Sequence, residues 1–161
     1  MLPLEQPDSA WVDAAQGWCE LQQFDEASAE LEKVDPAHSS HPLVLEARWQ
    51  ISANLGAWAK ALDQALAVTK VEPNWPNGWI YLANSLAMVE LTQEAYDTLK
   101  SAQQKFPEQE IICYDLACLC ENLDRRDEAR KWIQKAIDLG GEEIRLRAIS
   151  DPDLEGLIGN C

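Results

Sequence analysis

Alanine recurs at Ala27, Ala61, Ala95 and Ala129, four positions separated by equal steps of 34 residues. Four residues after each stands a second packing position, Leu31, Ala65, Leu99 and Ile133. Three further on comes a third, Val34, Val68, Ala102 and Ala136. Spacings of three and four residues put these side chains on one face of a helix. A matching helical face precedes each set. It runs Trp79, Leu82, Ala83 and Leu86 in the clearest copy, between Pro76 and Pro107, and Trp11, Ala14, Ala15 and Trp18 in the first copy. Pro76 suits a first helical turn, where the missing N–H is not needed, and Pro107 stops the second helix. Two short helices with one apolar face each cannot bury those faces alone. A chain built this way must stack its units against one another.

The copies are not equal. In the second, Arg48 and Trp49 occupy the places held elsewhere by Ala14–Ala15, Leu82–Ala83 and Leu116–Ala117. An indole does not fit a close helix crossing, so these helices are expected to spread or the first to rotate. The second helix of the first copy is expected to break at Asp35–Pro36, leaving AHSSHP as a loop that fills out the period. Asp8 or Ser9 is expected to cap the first helix. After Gly140–Gly141, Ile144, Leu146 and Ile149 are expected on one side of a short helix. A further turn at Asp151–Pro152 would carry Leu154, Leu157 and Ile158 inward.

A 34-residue helix-turn-helix unit with W-x2-L-[GA]-x2-large, then A-x3-large, then Pro resembles the tetratricopeptide repeat family, and here its small bacterial-type members. The resemblance covers about Ser9 to Gly141. It implies an all-α fold, a right-handed α-solenoid of about four repeats with a C-terminal capping helix. The expected division is a lead-in over 1–8, repeats over 9–41, 42–75, 76–109 and 110–141, and a cap over 142–161. In that family the first helices line a concave groove. The matching positions here are Asp13, Gln16 and Glu20; Glu46, Gln50 and Asn54; Ile80, Tyr81, Asn84 and Met88; and Tyr114, Asp115, Cys118, Glu121 and Asn122. Gln16, Gln50, Asn84 and Cys118 lie 34 apart. Three side-chain amides in such a row can donate to and accept from an extended peptide backbone. Tyr81 and Tyr114 would serve as aromatic anchors.

Charge narrows the partner. The formal net charge is −15. Up to Ala47 ten acids stand against the single base Lys33, a net of −9. From Arg125 onward seven bases meet eight acids, a net of −1. This balance argues against phosphate backbones and anionic membrane surfaces, both of which need clustered Lys and Arg. The groove positions hold no Lys or Arg, which disfavours acidic peptide tails. A basic or amphipathic peptide or helix is the expected occupant, with no nucleic acid and no membrane as partner.

No catalytic constellation stands out, and neither a metal nor another cofactor is expected. His38 and His41 share a loop without ligand spacing around them. Cys118 and Cys120 fall on different helix faces, unlike a redox pair, and Cys113 and Cys120 replace packing residues. Five cysteines (Cys19, Cys113, Cys118, Cys120 and Cys161) form no disulfide framework. The start, MLPLEQPDSAW, has neither a basic region nor a long apolar run. A cytoplasmic, non-enzymatic interaction module is expected, as a monomer or weak homo-oligomer. Two other roles fit the same residues: a small acidic chaperone for a secreted or assembly-prone subunit, and a self-assembling structural element with its acidic front against its more neutral back.

Overall fold

A computed structural model describes residues 3–154 and 156–158. Cys161 and the ends of the lead-in and of the cap lie outside the described residues. Those described form helices and two short 3-10 turns, in the order α1 (Asp8–Glu20), α2 (Phe24–Leu31), turn Pro36–His38, α3 (Pro42–Asn54), α4 (Trp58–Val71), α5 (Pro76–Met88), α6 (Thr92–Lys105), α7 (Glu110–Asn122), α8 (Arg126–Ile149) and turn Pro152–Leu154. The architecture is an α-solenoid of paired antiparallel helices. The chain divides into two compact units, one ending at Ser85 and the other beginning at Leu86.

In the first unit α1 pairs with α2 and α3 with α4, and α3 also packs on α1 and α2. Val12, Ala15, Cys19, Ala27, Leu31, Val34, Val44, Ala47 and Ile51 make one continuous core. Small residues sit at the helix contacts: Ala15, Ala27, Ala47, Ala61 and Ala65 are all fully buried. A Cβ on Gly78, in the first turn of α5, would stand 2.7 Å from Val68 Cγ1. Glycine there lets α5 approach α4 closely.

In the second unit α7 packs against both α6 and α8, and the Pro152–Leu154 turn lies on α7 and α8. Ala95, Leu99, Ala102, Cys113, Leu116, Ala117, Cys120, Ala129, Ile133 and Ala136 are buried there. At Gly141 (φ 65°) the backbone leaves helical geometry and kinks α8. Beyond the kink the inward residues are Ile144 and Ala148, while Leu146 and Ile149 are more than half exposed. The expected face Ile144–Leu146–Ile149 is therefore corrected to an i, i+4 pair, the spacing that keeps two side chains above one another on a helix. Leu154 and Leu157 point inward as expected.

The 34-residue step is also written in the backbone of the turns. Gln22, Gly56, Glu90 and Asp124 each have φ between 57° and 69°. Each follows a first helix and donates its N–H three residues back, to Cys19, Ala53, Ala87 and Glu121. The next residue closes a longer loop, with Gln23, Ala57, Leu91 and Arg125 donating to the carbonyls of Trp18, Ser52, Leu86 and Cys120 at 2.8–2.9 Å. These two bonds are the Schellman termination of a helix. Four different residue types, one of them glycine, adopt it at the same step.

The start of α1 departs from expectation. Pro7 holds the capping position and makes no side-chain cap. Asp8, the expected cap, is buried, and its carboxylate turns to the far end of the first repeat. It accepts from the Asp35 N–H at 3.2 Å and pairs with His38 Nδ1 at 2.6 Å. The pairing holds Asp8 below the usual carboxylate range and raises His38 above the usual imidazole range.

Candidate peptide-binding face

Trp49 explains the irregular second repeat. It does not enter the α3–α4 crossing; Ala47, two residues earlier, takes the buried small-residue place. The indole instead stacks on Tyr81 of α5, with ring centroids 4.1 Å apart and planes 21° off parallel. Its Nε1 donates to Ser85 Oγ at 2.9 Å, and that hydroxyl donates to the Tyr81 carbonyl at 2.8 Å. Trp75, just before α5, meets Tyr81 edge-on, at 6.1 Å and 89°. The indole thus reaches from α3 to the next first helix, α5.

Glu46, one residue before Ala47, accepts a hydrogen bond from the Tyr81 hydroxyl. Burial pushes the Glu46 carboxyl above its usual range, with the tyrosine bond opposing that shift. Burial and the adjacent carboxylate raise the Tyr81 phenol well above its ordinary value, so it remains a donor. Glu46, Trp49, Tyr81 and Trp75 are all half-buried, with part of each surface left to solvent. Two ring systems beside a carboxylate present apolar area and negative charge together, which suits a cationic or amphipathic side chain.

The other expected first-helix residues divide by exposure. Gln16 on α1, Gln50 on α3 and Asn84 on α5 are half-buried, and Asp13 is exposed. Met88, at the end of α5, is 54% exposed. In the second unit Tyr114 is 2% exposed. Its hydroxyl donates to Asp151 Oδ2 at 2.5 Å, and the Arg147 guanidinium lies 4.4 Å from its ring centre. Tyr114 is therefore a packing residue closed in by the C-terminal segment, a correction to its expected place as an exposed anchor. Trp18, expected in a packing slot, is 36% exposed.

Asp115 and Cys118 face a different environment from the first unit's polar row. Asp115 Oδ2 is buried without a hydrogen-bond partner. Desolvation pushes its carboxyl up to about 7 against the pull of Arg147, and Asp151 adds to the rise. Desolvation, with Asp115 beside it, also drives the Cys118 thiol up to about 12, and Cys120 reaches about 11. Thiols so shifted remain protonated and are poor nucleophiles.

Tyr81 and Glu46 stand among the groove positions expected from the sequence, whereas Trp49 reads there as a misfit in a helix crossing and Trp75 carries no assignment. The signal was present: Trp49 and Tyr81 are 32 residues apart, close to one repeat. Among the described residues no helix is long and apolar enough to cross a membrane.

Neither a protein-family model nor a curated protein sequence matches this chain. Solved structures do. The chain is similar to TTC0263, a thermophilic TPR protein of Thermus thermophilus, at 18% identity and a TM-score of 0.78 over 93% of this chain and 80% of that one. YrrB, described as a TPR protein with an unusual peptide-binding site, aligns at 17% identity and a TM-score of 0.71, over 88% of this chain and 74% of that one. MamA aligns at 17% identity and a TM-score of 0.70, over 83% and 73%. These likenesses show the tetratricopeptide-repeat fold.

Proposed function

We infer that this chain, having the tetratricopeptide-repeat fold, is a protein–protein interaction module. It holds a basic or amphipathic peptide or helix of a partner in an acidic groove along its first helices. The observation that carries the reading is the half-buried Trp49–Tyr81 stack with the Glu46 carboxylate bonded to it. Aromatic residues that keep apolar area partly open to solvent are the usual anchors of peptide recognition. Gln16, Gln50 and Asn84 add amides able to bond a peptide backbone without reading its sequence. The solved structure of YrrB, whose peptide-binding site is named in its description, supports this use of the fold.

The same reading is non-catalytic. Its support is the state of the thiols: burial keeps Cys118 and Cys120 protonated, with shifts to about 12 and about 11. The carboxylate of Glu46 is engaged by Tyr81, and Asp8 by His38.

The test is calorimetric titration of a lysine- and arginine-rich amphipathic peptide against the wild type and a Gln50→Ala/Asn84→Ala double variant. The double variant is expected to bind at least tenfold more weakly. Equal affinity for both proteins removes the groove assignment.

A further inference from the structure

The second helix of the first repeat is unusually short: α2 has 8 residues, whereas α4 and α6 have 14 each. α2 ends at Leu31, four residues before the break expected at Asp35–Pro36, and Pro36 keeps the chain from resuming as α-helix. The turn that replaces the missing length is drawn toward the start of α1 by the Asp8 bonds to Asp35 and His38. Beside this turn a cleft of about 520 Å³ lies between the end of α2, the middle of α3 and α4. That volume is within the roughly 300–1,000 Å³ common for ligand sites.

Its floor is apolar, formed by Leu31, Leu45 and Ile51, each less than 8% exposed. Gln64 of α4 lines it, is only 9% exposed, and its Oε1 is buried with no hydrogen-bond partner. An unsatisfied buried amide is destabilising, and an apolar residue in its place would avoid the cost. Turning the amide over exchanges oxygen for nitrogen and leaves the same unmet need. The complementary group is one that can both donate and accept, attached to an apolar body. A peptide group meets the first condition with its N–H and C=O. The rim carries two cations, Arg48 and Lys60, and two carboxylates, Glu32 and Asp63, so it selects neither an anion nor a cation. A neutral segment with a large apolar side chain suits such a rim.

We propose that this cleft is a second binding site, apart from the first-helix face, which takes a large apolar side chain together with its peptide group from a partner polypeptide. Gln64 bonds the peptide group, and Leu31, Leu45 and Ile51 receive the side chain. The assignment does not depend on the first-helix groove, because different helix faces supply the residues.

N-acetyltryptophanamide and 3-methylindole are the probes, titrated into 15N-labelled full-length protein while the Gln64 side-chain NH2 resonances are followed. N-acetyltryptophanamide is expected to move them saturably, and 3-methylindole, which lacks the amide, to bind about tenfold more weakly. Gln64→Leu, followed by the backbone amide resonances of the cleft residues, is expected to bind N-acetyltryptophanamide about tenfold more weakly and to melt at a higher temperature than the wild type. A residue kept only for packing would give a lower melting temperature. Ala67→Leu, which fills the cleft from α4, is expected to abolish the shift, and the Gln50→Ala/Asn84→Ala variant to leave it unchanged. Unmoved Gln64 resonances overturn the proposal, as does undiminished binding by Gln64→Leu. Equal affinity for the two probes overturns the peptide assignment and leaves a site for free apolar molecules.

Discussion

Ala95 is fully buried at the small-residue position of its repeat. Leucine there overpacks a helix contact that has no room for three more carbons. Ala95→Leu is expected to lower unfolding stability by about 1–3 kcal/mol, measured by urea denaturation. Asp115 gives a second residue-scale test. Its folded-state pKa, about 7, lies above the ordinary carboxylate value, so the folded protein holds that proton more tightly than the unfolded chain. Its contribution to stability is complete below about pH 4 and is lost as pH rises toward and through 7. Asp115→Asn removes that descent. The variant's melting temperature is expected to gain on the wild type's between pH 4.5 and 7 and to hold that gain above it. For the proposed groove, Glu46→Gln keeps the shape and removes the charge, and is expected to weaken a basic peptide about fivefold, near 1 kcal/mol.

At the scale of the element, the turns and the loop after α2 matter most. Gln22, Glu90 and Asp124 adopt a left-handed backbone that only glycine accepts without strain, as Gly56 does. Glu90→Gly is expected to raise stability by about 0.5–1 kcal/mol, and Gly56→Ala to lower it by a similar amount, both read by chemical denaturation. In the sequence only Gly56 and, more weakly, Asp124 hint at this shared geometry, because Gln and Glu are ordinary helix-surface residues. The Asp8–His38 bond is pH-sensitive in a definable window. His38, raised, contributes fully below about pH 6.5 and loses its contribution as pH climbs through its folded value. Asp8, lowered, contributes above about pH 4 and loses its contribution as pH falls further. His38→Asn is thus expected to lower the melting temperature at pH 5.5 and to matter much less at pH 8.5. An equal effect at both values contradicts an ionic pairing.

The scale of the whole molecule is set by its charge. With a formal net charge of −15, the protein attracts a basic partner over distances longer than any contact. Raising ionic strength shortens that reach. Stopped-flow association with a basic peptide is expected to slow about tenfold or more between low and high salt, while the dissociation rate changes little.

The sequence alone determined the helix pairs, their 34-residue step and most of the buried alanines, because those depend on spacings of three and four residues along single helices. It also determined the sign of the charge. It did not determine what lies between elements. Trp49 reads as a misfit until its indole is seen to lie on Tyr81 of the next repeat. Asp8 reads as a cap until a loop 27 residues away supplies its partner. Tyr114 reads as an anchor until the C-terminal segment closes over it. Each depends on a contact between residues far apart in the chain, and only tertiary structure decides which of these are made.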